Sequence, residues 1–427
     1  MSTHYRNALA HLRAFLDKDS PDAVAARMKP KKNLLPTRLP GGTLVDDAAL
    51  AKRWRAVSSP GICREEILDA KAQEHREKYR NNIENFVGTV KVPLGLAGPL
   101  RINGTFAQGD YLLPLATTEA ALVASYHRGA CVVSQAGGCT TLMLAEGVLR
   151  SPGFVFRTLE QVGRFMNWCL PRFDEFKAIA ETTTRHGQLV DMRFNIEGNH
   201  VYLVLEFTTA DASGQNMVTI ATQSVCDHIL AQSPVRPTHM FVEANYSGDK
   251  KASALTFQSV RGRKVVAEVR LPKGLVEKWL HTTPEKMEAY WRMSALGGVM
   301  SGTIGVQGHY ANGLAALFLA CGQDIACVAE AAVGVTRFEM ESDGGLYASV
   351  TLPNLIVGTV GGGTGLPTQA ACLEILGLCG EGKARALAEV CAGMVLAGEL
   401  SIIGALSASE FTRAHHRLAR GKTKTGA

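Results

Sequence analysis

Five features of this chain combine residue types that can move protons, hold an anion or stabilise a developing negative charge. Glu119 lies in a largely apolar stretch of helical spacing. It reads either as a surface acid in a first helical turn, where the helix dipole favours it, or as a buried acid of raised pKa that can donate a proton. In the run Asp249-Lys250-Lys251, which follows a Ser-Gly turn, paired lysines ordinarily face solvent; one ammonium turned inward would stabilise an oxyanion. Asp324 falls in an apolar stretch read as helical, where a lone aspartate is costly unless a cation pairs with it, and an inward Lys250 is the natural partner. His415-His416 stand on a basic segment, either as surface residues or as a histidine that swings over a site to give a proton. The turn GTVGGGTG (358–365), leading into QAACLEIL, serves tight packing or holds an anion on its backbone N–H groups. None of these decides a function alone.

The elements that must position them follow from the patterning. Residues 1–83 are charged and helical in pattern, broken by a Pro/Lys/Gly-rich run at 29–42, and read as an N-terminal helical region. From 84 to 114 short strands alternate with turn residues, as in VPLGLAGPLRING. Thr117 or Thr118 then caps a helix running through ALVASYHRGACVVSQ to Gly137-Gly138. Between 152 and 241, helix-like EQVGRFMNWCLPRF precedes the strand pair LVDMRFNIEGNHVYLVLEF, turned at Glu-Gly-Asn, and the helix NMVTIATQSVCDHILAQ. Helix and antiparallel strand mixed in this way predict an α+β fold: a small unit, 152–241, inserted between the two parts, 84–151 and 242–427, of a larger domain.

Composition narrows the function classes. Hydrophobic residues at 46% and charged residues at 20% exclude a disordered chain. A net charge of +6 suits anionic ligands, but the basic residues are scattered apart from Arg413, Arg417, Arg420, Lys422 and Lys424. No aromatic-basic interleaving accompanies them, which argues against nucleic acid. The ten cysteines form no CxxC pair and sit mainly in apolar stretches, as Cys321, Cys327 and Cys391 do, so buried free thiols are expected rather than disulfides or a metal site. The opening residues MSTHYRNALAHLRAFLDKD carry charges throughout without an apolar signal core, which predicts a cytoplasmic protein. The apolar stretches 311–335 and 391–408 are interrupted by Asp324, Glu330 and Glu399. A central carboxylate costs roughly 3 kcal/mol or more in lipid, so these stretches are expected inside a protein core and not in a membrane.

Taken in order, the runs ENFVGTVKVPLGLAGPL (84–100), LATTEAALVAS (115–125), DASGQN (211–216), DKK (249–251), ACGQD (320–324), GTVGGGTG (358–365) and AGELSIIGAL (397–406) resemble the hydroxymethylglutaryl-CoA reductase family. The likeness is to the eukaryotic and archaeal form of its catalytic domain, without membrane spans. It implies a large domain around a central helix, an inserted small ferredoxin-like cofactor domain, and an active site between the subunits of a homodimer or higher homo-oligomer. It also implies a four-electron, NADPH-dependent reduction of 3-hydroxy-3-methylglutaryl-CoA to mevalonate and coenzyme A.

Carried over residue by residue, the resemblance puts the catalytic groups at Glu119, Lys250, Asp324 and His415. Lys250 would neutralise the oxyanion while Asp324 keeps that lysine charged. His415 would protonate the departing thiolate, and Glu119 the aldehyde oxygen during the second hydride step. Arg150, Asp249, Lys251 and Asn312 fall where the family holds its substrate. DASGQN resembles the DAMGMN cofactor motif, which implicates Asp211, Ser213, Gly214, Gln215 and Asn216, with Gly361 and Gly362 from the glycine-rich turn. Thr184-Arg185 falls where NADP-using relatives place a Ser-Arg pair near the 2′-phosphate, and a guanidinium there favours NADPH over NADH.

The substrate pocket departs from the pattern. The family's SGN before DKK is EAN, so Glu243 replaces a serine; its NKN run is MSA, so Ser294 replaces a lysine that pairs with the substrate carboxylate. One cation lost and one anion gained move the pocket by about two charge units. A second reading is therefore a paralogue reducing another acyl thioester, on CoA or a carrier protein, with Glu243 setting specificity or, in a shifted loop, facing solvent. GQD continues as IACV instead of AQN, and His127 and Val132 replace an Asn and an Arg, the latter a contact for CoA phosphates. Gly421 stands where eukaryotic members carry a phosphorylated serine.

Overall fold

The computed structural model describes residues 4–16, 19–30, 41–57 and 61–408. The described chain before residue 80 is helical, with Asp47–Ala56 (α1) its best-buried segment. Asp46 caps α1 by accepting from Ala49 N, and Leu50, one turn on, packs with Val45, Tyr79 and Phe86 in a small core of its own. Arg53 is buried there too, but its guanidinium donates to the carbonyls of Phe86, Gly42 and Leu44 at 2.6–2.8 Å, which offsets the cost of removing the charge from water.

Ten strands then build one sheet among the described residues. They are Leu94–Gly104 (β1), Gln108–Ala116 (β2), Cys139–Arg150 (β3), Gly153–Val155 (β4), Gln188–Glu197 (β5), His200–Thr208 (β6), His239–Phe241 (β7), Gly262–Leu271 (β8), Val335–Met340 (β9) and Leu346–Leu355 (β10). The order is β7-β4-β6-β3-β8-β10-β9, with β5 added on β6, and the β1–β2 hairpin joined to β3 through β1. The long strand β3 is shared: residues 140–147 pair with β8 and residues 148–150 with β6. Beyond that junction β7-β4-β6-β5 are antiparallel at every step. The helices Leu159–Cys169 (α3) and Phe173–Glu181 (α4) lie between β4 and β5, and Gln215–Gln232 (α5) follows β6; the earlier helix Leu122–Gln135 is α2. The architecture is α+β, as the patterning predicts.

Three helices complete the core: Pro284–Ser301 (α6), Tyr310–Ala320 (α7) and Ala384–Ser407 (α8). Helix α8 is the one described helix long and apolar enough to cross a membrane, yet 83% of its most apolar window is buried, so the protein core takes up its apolar surface. It crosses α2 at Gly129, where a Cβ would sit 1.8 Å from the Ala397 carbonyl oxygen; a glycine is required by that approach. Two glutamates in α8 are fully buried. Glu389 accepts from the backbone of Thr105, Phe106 and Ala107 and so closes the β1–β2 turn. Glu399 accepts from Gly308 N, His309 N and Thr336 Oγ1 at 2.7–2.8 Å. Both carboxylates replace lost water with several donors, which is what allows them inside an apolar helix.

Two expectations fail locally. Neither Thr117 nor Thr118 caps a helix: α2 begins at Leu122, behind Ala121 at φ 70°, with no side-chain cap. Thr117 N is still bonded to Pro93 O at the end of the hairpin, so the chain cannot turn into a helix until it has passed Glu119. The stretch 311–335 is not one helix either. α7 stops at Ala320 and Gly322 turns left-handed at φ 67°, so Asp324 stands after the helix and not within it.

Candidate functional site

Three of the motifs meet at backbone contact. The Gln323 amide donates to Gly358 O at 2.9 Å and accepts from Gly358 N at 2.8 Å, joining ACGQD to the glycine-rich turn. A Cβ on Gly358 would lie 2.5 Å from Ser213 N, and Thr359 N donates to Asp211 O at 2.9 Å, which adds DASGQN to the same junction. Gln323 was not singled out from the sequence; its only signal was its place inside a matching run.

This junction walls a cleft of about 620 Å³ lined by residues 213–216, Lys250, Asp324 and residues 361–363. Helix α5 starts beside it, behind Gly214 at φ 76°, so the first N–H groups of an 18-residue helix are placed for an anion. Gly361 and Gly362 have φ of 74° and 54°, and a Cβ on either would meet nothing within 4 Å. The turn is thus open on its cleft side and adopts a backbone that side-chain residues avoid. These features fit a phosphate-bearing ligand. Asp211 behaves differently from its neighbours in DASGQN: its carboxylate accepts from Gly382 N at 2.8 Å and Ala384 N at 3.1 Å, capping the N-terminus of α8. In the turn between α4 and β5, Thr184 accepts from Gly187 N at 3.0 Å and Arg185 is exposed.

Lys250 Nζ lies 2.8 Å from Asp324 Oδ2, with 41% and 38% of the two side chains exposed. The hydrogen bond to Asp324 is the main cause holding the lysine pKa above its ordinary value, so the ammonium persists. Lys250 has φ 58°, unusual for a residue with a side chain, and its N–H is held by Glu330 Oε1 at 3.1 Å. Asp324 is oriented by its own backbone, Oδ1 accepting from Ala326 N at 3.0 Å. Cys327, next along, is pushed up to about 12 by burial and takes a hydrogen bond from Gln215 Nε2 at 3.0 Å, so it stays a thiol.

Behind Lys250 lies a cluster of two arginines and three carboxylates. Arg150, 5% exposed, meets Asp249 at 3.0 Å and Glu243 at 3.3 Å and donates to Gln215 O at 3.2 Å. Arg261 meets the other oxygen of Asp249 at 2.6 Å and pairs with Glu330, whose pKa burial raises against the pull of that arginine. Glu243 points inward: Ser151 N and the Ser247 hydroxyl also donate to it, at 3.3 and 3.1 Å, so it does not face solvent in a shifted loop. Lys251 is exposed and donates to Asp249 O at 2.6 Å. Arg261, absent from the sequence reading, could be found only from its spatial partners.

Glu119 is exposed within the single chain. Asn312 Nδ2 reaches both of its carboxylate oxygens at 3.2 Å, and the two residues stand between a cavity of about 430 Å³ and another of about 520 Å³. Neither cavity is lined by Lys250 or Asp324, although Ile325 and Val328, just beyond Asp324, line the second. Ser294 lies on α6, and no hydrogen bond joins it to Arg150 or Lys251 among the described residues. His415 lies outside the described residues, as do Arg413, Arg417, Arg420, Lys422 and Lys424.

Comparison with known proteins shows the family and the fold. The sequence pattern described as hydroxymethylglutaryl-coenzyme A reductase matches residues 49–420. The 3-hydroxy-3-methylglutaryl-coenzyme A reductase of Methanocaldococcus jannaschii is 42% identical over 346 residues, covering 80% of this chain and 85% of the relative. That of Haloferax volcanii is 42% identical over 383 residues, covering 88% and 93%. Among solved structures, the class II enzyme of Streptococcus pneumoniae bound to NADPH superposes with a TM-score of 0.63 at 19% identity, over 83% of this chain and 96% of that one; this is a likeness of fold.

Proposed function

This chain belongs to the hydroxymethylglutaryl-CoA reductase family, and we propose that it reduces 3-hydroxy-3-methylglutaryl-CoA to mevalonate and coenzyme A with NADPH. The observation that carries the reading is the Lys250–Asp324 pair at 2.8 Å on the wall of the anion-ready cleft. NADPH bound in that cleft would supply hydride, and the four-electron reduction would consume two NADPH in succession. The glycine-rich turn and the start of α5 suit its phosphates, and the family resemblance adds Arg185 for the 2′-phosphate.

The chain's own groups then manage charge and protons. As the thioester carbonyl gains electrons, the Lys250 ammonium neutralises the oxygen, and Asp324 keeps that ammonium protonated. His415 protonates the departing thiolate. Glu119, oriented by Asn312, protonates the aldehyde oxygen in the second reduction. Arg150, Asp249 and Lys251 hold the acyl group.

The strand order β7-β4-β6-β5, antiparallel throughout, supports reading 152–241 as an inserted ferredoxin-like cofactor unit between 84–151 and 242–427. A homodimer or higher oligomer is supported by α6, where Met293, Leu296, Val299 and Met300 form an exposed apolar stripe. A site completed between subunits accords with Glu119 and Lys250 lining separate cavities within one chain. The ten free cysteines, mostly buried, suit a reducing cytoplasm.

One observation favours a different acyl thioester: Glu243 already occupies Arg150, and the cluster holds one more carboxylate than arginines. A substrate carboxylate must compete with it. Oxidation of NADPH and NADH by the purified protein on 3-hydroxy-3-methylglutaryl-CoA, with product mass, separates the two. Turnover to mevalonate supports the first; a folded, NADPH-binding protein without turnover supports the second.

A further inference from the structure

The cofactor cleft has a wall that none of the motifs contributes. Asn82 and Ile83, where the N-terminal helical region ends, line it together with the glycine-rich turn. Asn82 Nδ2 donates to Gly362 O at 2.8 Å. Gly362 is left-handed and has no neighbour that a side chain could pack against, so local sterics leave that peptide free to turn. The bond from Asn82 holds its carbonyl in one direction.

Asn82 can do this because its own segment is rigid. The N–H groups of Asn82 and Ile83 both bond to Tyr79 O, at 3.0 and 2.9 Å. Tyr79 stacks on Phe86 with centroids 4.8 Å apart and planes 12° from parallel, inside the small core with Val45 and Leu50. Leu366, just past the glycine-rich turn, packs against that same core. The N-terminal region therefore grips the turn at two points, Gly362 by a hydrogen bond and Leu366 by apolar contact. Ile83 sits on the cleft wall with 47% of its surface exposed, an apolar face for a planar ring.

We infer that Asn82 is a positioning residue and Ile83 a binding residue of the cofactor site, making the N-terminal region part of that site. This rests on the cleft being the NADPH site. The test uses the full chain with Asn82→Asp, which keeps size but removes the donor, Asn82→Gln, which keeps an amide donor, and Ile83→Ala. NADPH affinity is read by fluorescence titration, alongside kcat, the two KM values and a thermal melt.

Losing the bond in Asn82→Asp should weaken NADPH binding about three- to tenfold, with a smaller loss in Asn82→Gln. Ile83→Ala should weaken it by a similar factor of about three to ten through lost apolar contact. The KM for the acyl-CoA should stay unchanged in all three. Parent-like NADPH affinity in Asn82→Asp and Ile83→Ala overturns the inference, as does a lower melting temperature with unchanged affinity. If Asn82→Asp fails to fold, Ile83→Ala decides alone. A parent protein that binds no NADPH overturns the cofactor reading of the cleft instead.

Discussion

Gln323 pairs with Gly358 through both ends of its side-chain amide, as one strand pairs with another. All of these atoms are buried, so a replacement of similar size that cannot bond leaves a backbone donor and acceptor without partners. Gln323→Leu should cost about 2 kcal/mol of stability, measured by urea unfolding, and should weaken NADPH binding because the cleft wall loosens. Retained NADPH affinity would show that the junction supports the fold without shaping the cleft.

Lys250 and Asp324 set the second expectation. Lys250→Ala should lower kcat about a thousandfold with the fold intact, the scale expected when an oxyanion loses its main stabilising charge. In the parent the carboxylate raises the lysine pKa, so activity should persist to higher pH than an ordinary lysine would allow. Asp324→Asn removes that support and lowers the lysine pKa. The alkaline limb of kcat/KM should therefore move to lower pH. A limb that stays in place would separate it from Lys250.

Glu243 makes a prediction of opposite sign to most mutations in an active site. Removing its carboxylate frees Arg150 for a substrate carboxylate. Glu243→Ser with Ser294→Lys should raise kcat/KM for 3-hydroxy-3-methylglutaryl-CoA, and Glu243→Ser alone should carry most of the gain, since Ser294 makes no hydrogen bond to Arg150 within the described chain. No gain in either variant would mean that the parent pocket already accommodates the carboxylate.

Asp211 distinguishes capping from cofactor contact. Its carboxylate serves the first turn of α8 through Gly382 N and Ala384 N. Asp211→Ala should cost about 1 kcal/mol, as lost helix caps do, and leave NADPH affinity near the parent value. A large loss of affinity with unchanged stability would return Asp211 to the cofactor.

The family, the reaction class and the α+β architecture were legible in the sequence, because the matching runs are long and the turn glycines and strand alternation mark their own elements. An inward Lys250 is the natural partner for an aspartate read inside an apolar helix, and the resemblance assigns both residues; the pair forms although that helix ends before Asp324 and both side chains are about two-fifths exposed. Local pattern misled at Glu119 and Asp324. Apolar spacing suggested helices through both, whereas the hairpin bond of Thr117 to Pro93 and the left-handed Gly322 ended or delayed them. Those are contacts and backbone angles imposed by packing. Tertiary structure alone decided that Glu243 faces Arg150, that Arg261 ties Asp249 to Glu330, and that Asn82 reaches Gly362 across 280 residues of chain. Periodicity reports which face of an element is buried; it carries no information on which distant side chain will meet that face, and an active site is made of such meetings.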